Sequence, residues 1–181
     1  MTMDTMFLEV LWNRLVSIVD EQAAALMQAS FTTVVREAGD LSAGVFDRQG
    51  RMLAQAVTGT PGHINTMANC VQELVRTWPI EGLKPGDSLV TNDPWMCAGH
   101  LHDIIVITPV FYRGKGVGFF ANTCHAMDIG GRTLGADAHE VFEEGLHLPV
   151  LKLFREFKIN QDLIDIVRAN VRGPDQVVGD L

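Results

Sequence analysis

Asp103-Ile-Ile-Val-Ile-Thr-Pro-Val-Phe-Tyr112, Arg113-Gly-Lys-Gly116 and Val117-Gly-Phe-Phe-Ala-Asn-Thr-Cys-His125 follow one another without interruption, and their reading decides the fold. The outer runs are rich in Val, Ile, Phe and Thr, which suit a pleated surface, and the Gly-containing segment between them predicts a tight turn. In an antiparallel hairpin the start of the first strand lies beside the end of the second. Asp103 and His125 are therefore expected to be neighbours.

The same region holds one spacing twice, as His100-Leu-His-Asp103 and His125-Ala-Met-Asp128. Imidazole nitrogen and carboxylate oxygen together suit Zn²⁺, Mn²⁺ or Fe²⁺, and ligands from adjacent strand ends can surround one ion with a position left open. A single His-x-x-Asp also arises by chance, and buried His–Asp pairs without metal are common. The repetition makes a divalent-metal site the sharper reading, with His100, Asp103 and His125 brought together by topology.

Strand alternation sorts the nearby residues, because neighbours on a strand point to opposite faces. Cys124 and His125 cannot both face one ion, so a thiolate site of Cys97, His100, Cys124 and His125 is disfavoured. His102, one residue before Asp103, is expected to face elsewhere. Asp128 follows the end of the strand and is a candidate for catalytic work beside the ion or on the substrate side. His63 is a second such candidate, since a helix N-terminus favours neutral imidazole and can turn it toward a site, although a lone histidine there also occurs as plain surface.

Working outward, Asp87 to Asn92 predicts another strand, and Ala43 to Val57 reads as two short apolar runs around Asp47-Arg-Gln-Gly50, a second hairpin. No Gly or Pro interrupts Thr5 to Arg36, and Leu8, Leu11, Leu15, Ile18, Gln22, Leu26 and Ala29 recur at helical spacing. One long helix is expected, with Asp4 as N-cap and Gly39 beyond its end. Pro61 and Gly62 open a second helix with Ile64, Met67, Val71, Leu74 and Trp78 on its apolar face, and Pro79 stops it. After the glycine-rich stretch Gly130-Gly131-Arg132-Thr133-Leu134-Gly135, short helices are expected around Ala138 to Glu144 and from about Asn160 to Arg172. Val177 to Leu181 closes no evident element, which reads as the N-terminal part of a longer chain or a truncated product. The expected class is mixed α+β: a long N-terminal helix and further helices packed on a mainly antiparallel sheet, with residues 1–181 as one metal-binding domain.

The chain has 181 residues, 47% of them hydrophobic, enough for an ordinary core. Its net charge of −8 and lack of any basic run argue against a nucleic-acid partner. The opening residues lack a signal peptide's charged and apolar regions, and no stretch is long enough for a membrane span. Cys70, Cys97 and Cys124 form no Cys-x-x-Cys pair, so reduced thiols and a cytoplasmic location are expected. The loop at 130–135 lacks the Gly-x-x-x-x-Gly-Lys-Ser/Thr pattern, and no Gly-x-Ser-x-Gly, His-Glu-x-x-His or dinucleotide fingerprint is present.

Asn92-Asp-Pro-Trp-Met-Cys-Ala-Gly-His-Leu-His-Asp-Ile104, Phe120-Ala-Asn-Thr-Cys-His-Ala-Met-Asp-Ile-Gly-Gly131, Glu143-Glu-Gly-Leu146 and Asn170-Val-Arg172, in that order and spacing, resemble the hydantoinase B/oxoprolinase family. The resemblance implies a metal held by His100, Asp103 and His125 together with Asp40 in Glu37-Ala-Gly-Asp-Leu-Ser42, a segment that departs from the family pattern at Ala38 and Leu41. It further implies an ATP-dependent hydrolase of cyclic amides such as hydantoin, 5-oxoproline or a lactam. ATP would sit on a hydantoinase A-type partner subunit in a hetero-oligomer. A ketone carboxylase subunit and a non-catalytic assembly piece are the alternatives. Family proteins run far longer than this chain, so activity in isolation is not expected.

Overall fold

The structure is a computed structural model that describes residues 4–132, 135 and 137–181. Helix α1 spans Thr5–Ala29, and Asp4 caps it by accepting the Met6 N–H, as the sequence predicts. The long helix does not continue to Arg36. Ser30 ends it, and a separate turn of helix, α2, covers Thr33–Arg36. The break has a distant cause: the Asp180 carboxylate accepts the Phe31 N–H at 2.6 Å and the Thr32 hydroxyl at 2.5 Å, so these groups are drawn out of the helical ladder.

The expected Ala43–Val57 hairpin appears as β1 (Leu41–Asp47) and β2 (Met52–Gln55), followed by α3 (Pro61–Thr77) with Pro61 in its first turn. Then come β3 (Ser88–Thr91), β4 (Asp103–Tyr112) and β5 (Lys115–His125). The seven-stranded sheet is completed by a hairpin that the sequence pattern does not predict, β6 (Leu151–Arg155) and β7 (Lys158–Ile159). All neighbours are antiparallel, in the order β2-β1-β5-β4-β3-β6-β7.

Helix α4 (Gln161–Asn170) ends shortly before Arg172, and α5 (Pro174–Asp180) takes up the residues expected to close no element. Its start signal is Gly173-Pro174, since Pro is well suited to the first helical position. The helix expected around Ala138 to Glu144 is only a 3-10 turn at Val141–Glu143. Met1 to Met3, and Thr133 and Leu134 of the glycine-rich loop, lie outside the described residues.

Alternation along the central strands builds a core on each face of the sheet. Ile105, Ile107, Phe119, Ala121 and Phe46 pack against Met67, Cys70, Val71 and Leu74 of α3. Ile104, Val90 and Leu153 face the other way, toward Leu163, Ile164 and Val167 of α4 and Val177 of α5, and Leu41, Ala43 and Cys124 meet Val19 and Ala23 of α1. Burying each of these aliphatic side chains contributes about 1.5–3 kcal/mol before entropy is counted. The buried face of α3 is rotated from the predicted one: His63 and Cys70 are buried with Met67 and Leu74, while Ile64 and Trp78 are only half-buried. That rotation turns His63 toward the sheet.

The far edge is stapled by Asp87, whose fully buried side chain accepts the Lys84 and Glu156 N–H groups and pairs with Lys152 Nζ at 2.5 Å. The β6–β7 turn uses positive φ at Glu156 and Phe157 and presses Phe157 onto Gly86, where a Cβ would come within 2.5 Å of its ring.

Candidate metal centre

Three strand ends and one helix start converge on a single carboxylate. Asp103, the first residue of β4, pairs in register with His125, the last residue of β5. On the other side of β5, the His125 N–H donates to the Asp40 carbonyl at 3.1 Å, just before β1 begins. His100 enters from the turn before β4, and His63 from the first turn of α3. Thr60, the N-cap of that helix, donates its hydroxyl to Asp40 Oδ1 at 2.7 Å and so links helix start to strand start.

Asp103 Oδ2 lies 2.8 Å from His100 Nε2 and 3.0 Å from His63 Nε2, and Oδ1 lies 3.0 Å from His125 Nδ1. Asp40 sits at the margin, with Oδ2 3.9 Å from His125 Nδ1 and Oδ1 3.7 Å from His63 Nε2. Burial alone would raise the Asp103 pKa, but hydrogen bonds from His100, His125 and His63 outweigh it and hold this carboxyl well below the usual range. Reciprocally, the hydrogen bond to Asp103 raises His100 against the opposing effect of burial.

The donor set fits a divalent ion. Ligand atoms of His100, Asp103 and His125 lie within 4.8 Å of one another. Atoms each about 2.0–2.2 Å from a shared ion stand about 3–4 Å apart, so modest adjustments would suffice. The nitrogens that now donate to Asp103 would present lone pairs instead, which neutral imidazole provides by a change of tautomer. His63 Nδ1 is buried without a hydrogen-bond partner among the described residues. An imidazole with one satisfied and one orphaned nitrogen is costly structure, which weighs against a purely architectural role for His63.

His102 departs from its expected position. Its ring is buried and stacks on His125 at 5.3 Å between centroids and 10° between planes, and lies 5.8 Å from His100. Strand alternation begins only at Asp103, so it does not govern the preceding residue. Burial, with the neighbouring His125 and His100, lowers the His102 pKa.

Asp128 accepts the Gly130 N–H at 3.0 Å, the Arg172 backbone N–H and Arg172 Nη1 at 2.8 Å, which holds its pKa down against the opposing effect of burial. Its hydrogen bonds among the described residues tie it to this loop and not to the histidines. Cys124 packs on the opposite face, its Sγ 3.8 Å from the Asp180 carbonyl, and burial pushes its thiol up to about 12. Cys97 packs in the α3 core, where a hydrogen bond with Cys70 and burial raise its pKa.

The four segments singled out in the sequence meet around this centre. Asn92 is fully buried; its Nδ2 donates to the Leu101 and Leu146 carbonyls and its Oδ1 accepts the Leu148 N–H. Glu144 Oε2 accepts the Leu101 N–H at 2.7 Å, Gly130 bridges to Gly145, and Arg172 holds Asp128. The Asn92 and Glu144 bonds to Leu101 hold the turn that presents His100, and the other two brace the loop after β5.

The profile of the hydantoinase B/oxoprolinase family matches residues 4–181. The chain belongs to the hydantoinase B/oxoprolinase family. Within that family it is 28% identical over 189 residues to a putative D-/L-hydantoinase subunit of the B type from Pseudomonas sp. (strain NS671), covering 98% of this chain and 31% of that protein. It is 34% identical over 166 residues to the 5-oxoprolinase of Saccharomyces cerevisiae, covering 89% and 13%. The crystal structure of the ATP-dependent caprolactamase from Pseudomonas jessenii superposes with a TM-score of 0.83 at 26% identity, covering 99% of this chain and 31% of that one. The chain thus spans about a third or less of these relatives.

Proposed function

We propose that this chain is the metal-bearing part of an ATP-dependent amidohydrolase that opens a cyclic amide, a hydantoin, 5-oxoproline or lactam. It would work in a hetero-oligomer with an ATP-using subunit of hydantoinase A type. The observation that carries the reading is the buried Asp103 carboxylate with three imidazole nitrogens within 3.0 Å of it. The names of its relatives, a hydantoinase subunit of B type, a 5-oxoprolinase and an ATP-dependent caprolactamase, supply the reaction class and support a partner subunit.

His100, Asp103 and His125 would hold the ion, Zn²⁺, Mn²⁺ or Fe²⁺, with Asp40 as a fourth ligand. When bound, the metal supplies Lewis-acid polarisation of an oxygen and activation of water. Asp103 fixes the orientation of the imidazoles, and the His102 ring limits rotation of His125. His63 presents Nε2 toward Asp40 and Asp103, where it can hold or pass a proton. Asp128 positions the Gly130–Arg132 loop through Arg172. ATP on the partner would activate the amide by transferring its terminal phosphoryl group to the amide oxygen, releasing ADP. No described helix is long and apolar enough to cross a membrane, and the three cysteines are free, in keeping with a cytoplasmic complex.

The test is ring opening by the full-length protein with its partner, scanned over cyclic amides and ketones with ATP and bicarbonate. ATP-dependent ring opening, lost in Asp103→Asn while ATP still binds the complex, is the expected result. Carboxylation of a ketone instead would move the chain to the carboxylase reading. Tight ATP binding or ring opening by the isolated 181-residue chain would overturn the division of labour.

A further inference from the structure

His102 belongs to the centre without sharing its carboxylate. The ring centroids of His100, His102 and His125 stand at the corners of a triangle with sides of 5.2, 5.3 and 5.8 Å. His102 lies nearly parallel to His125, at 10° between planes, and is only 4% exposed. Its carbonyl accepts the Ala126 N–H at 2.7 Å, immediately after His125, so the backbone beneath the ring is pinned as well. Stack and backbone together leave the ring little room to swing away from the two neighbouring imidazoles.

Its polar edge sets it apart. His63, His100 and His125 each bring a nitrogen within 3.0 Å of Asp103. His102 has no hydrogen-bond or ion-pair partner among the described residues, and it stands outside the group whose ligand atoms can share an ion. Nor is that edge sealed: His63 Nδ1 is buried without a partner, whereas neither His102 nitrogen is. Nearly all buried polar groups in folded proteins have a partner, because leaving one unpaired is costly. His100, half-buried at 5.8 Å from His102, is the part of the centre that meets solvent, so a molecule entering beside it comes within reach of the His102 nitrogens.

We propose that His102 holds the reacting carbonyl compound at the metal centre by donating a ring N–H to its carbonyl oxygen. An imidazole carries at least one N–H in either protonation state, so the contact needs no particular charge. A carbonyl oxygen has two lone pairs, and one stays open for activation. The assignment rests on the reading above only in requiring a carbonyl substrate, which a cyclic amide and a ketone share.

The test uses the full-length protein with its partner, and caprolactam, hydantoin and acetone as probes. His102→Phe keeps the flat stack and loses the nitrogens. Calorimetric affinity for the probe that is turned over should fall about three- to tenfold, the range expected for one net hydrogen bond, and KM should rise by the same factor, while retained metal and ATP binding stay unchanged. His102→Gln and His102→Ala both lose the ring, but glutamine keeps an N–H and should bind the probe about three- to tenfold more tightly than alanine. Probe affinity unchanged in His102→Phe would overturn the assignment, as would loss of metal from a folded His102→Phe protein, which would make His102 a ligand of the ion. Should circular dichroism show His102→Phe unfolded, equal affinities in the glutamine and alanine variants would overturn it instead. Turnover of acetone and of neither amide, with KM raised in His102→Phe, would sink the amidohydrolase reading and leave the His102 contact standing.

Discussion

Asp103 and His125 face each other across the first rung of the β4–β5 ladder, with Asp103 Oδ1 3.0 Å from His125 Nδ1. The pair is fixed by main-chain hydrogen bonding on both sides of β5 and does not depend on a flexible loop. Substitutions here should therefore remove ligands without moving the remaining ones. His125→Ala and His100→Ala are each expected to abolish retention of a divalent metal, measured by mass spectrometry of the dialysed protein, while circular dichroism stays that of a folded chain. Full metal content in both variants would refute the site.

His63 should behave differently from those two. Its Nε2 shares Asp103 Oδ2 with His100, so it supports the cluster even if it is not itself a ligand. His63→Asn is expected to weaken metal affinity by about 10- to 100-fold, the usual cost of losing a group that orients ligands. Titration against a competing chelator would read this, and an affinity within about twofold of the unaltered protein would remove His63 from the centre.

Cys124→Ser is expected to leave metal occupancy unchanged, because Cys124 lies on the face of the sheet that meets α1 and α5. Loss of metal from a folded Cys124→Ser protein would revive the thiolate alternative.

Protons compete with the ion for the same nitrogens. Asp103 raises the His100 pKa, so His100 gives up its proton only above the ordinary histidine value of about 6.5. The rise in melting temperature on adding Zn²⁺ should be large at about pH 8 and nearly absent at about pH 5.5. Without metal the sign is opposite for His100: its raised pKa contributes stability below about pH 6.5 that fades as pH rises through the folded value. The lowered Asp103 contributes stability above about pH 4 that fades as pH falls through its folded value. Melting curves of metal-stripped protein should therefore show their best stability from this cluster between those limits. A zinc-induced shift equal at both pH values would count against imidazole ligation.

Asp180→Ala removes the acceptor for the Phe31 N–H and the Thr32 hydroxyl. Leaving those groups without it should cost about 1–3 kcal/mol. For a chain of this size, each kcal/mol lowers the melting temperature by about 2–4 °C, which calorimetry on the metal-free protein would resolve. A change under about 1 °C would show that water replaces the carboxylate.

The central hairpin is legible in the sequence because two β-branched runs flank a turn with glycines, and pairing alone then brings Asp103 to His125. The class, an antiparallel sheet with packed helices, follows from the same signals. What stays hidden depends on partners distant in sequence. Nothing between Thr5 and Arg36 marks a break; Asp180 imposes it from the other end of the chain. The Leu151–Ile159 hairpin turns through Glu156 and Phe157 in the left-handed region, which glycine or asparagine would have advertised. Asp87 and Gly86 hold that turn instead. At the centre, His102 escapes prediction because alternation does not extend one residue beyond the strand, and the buried face of α3 is not centred on Ile64 because histidine and cysteine, which carry little weight in an apolar pattern, occupy it.

Asp180 reaches across 149 positions to seat Phe31. A chain leaving the ribosome exposes its first helix long before that carboxylate exists outside the exit tunnel. The α1–α2 junction is therefore completed last, although α1 already has Leu41, Ala43 and Ala54 to pack on through Val19 and Ala23, and Met6, Phe7, Leu8, Val10, Leu11 and Trp12 are exposed even in the finished fold. Sealing so long a loop is slow and entropically late. The carboxylate covers none of those six side chains when it arrives; it closes only the junction at Phe31 and Thr32, so the apolar start of α1 is as open at the end of folding as at its beginning.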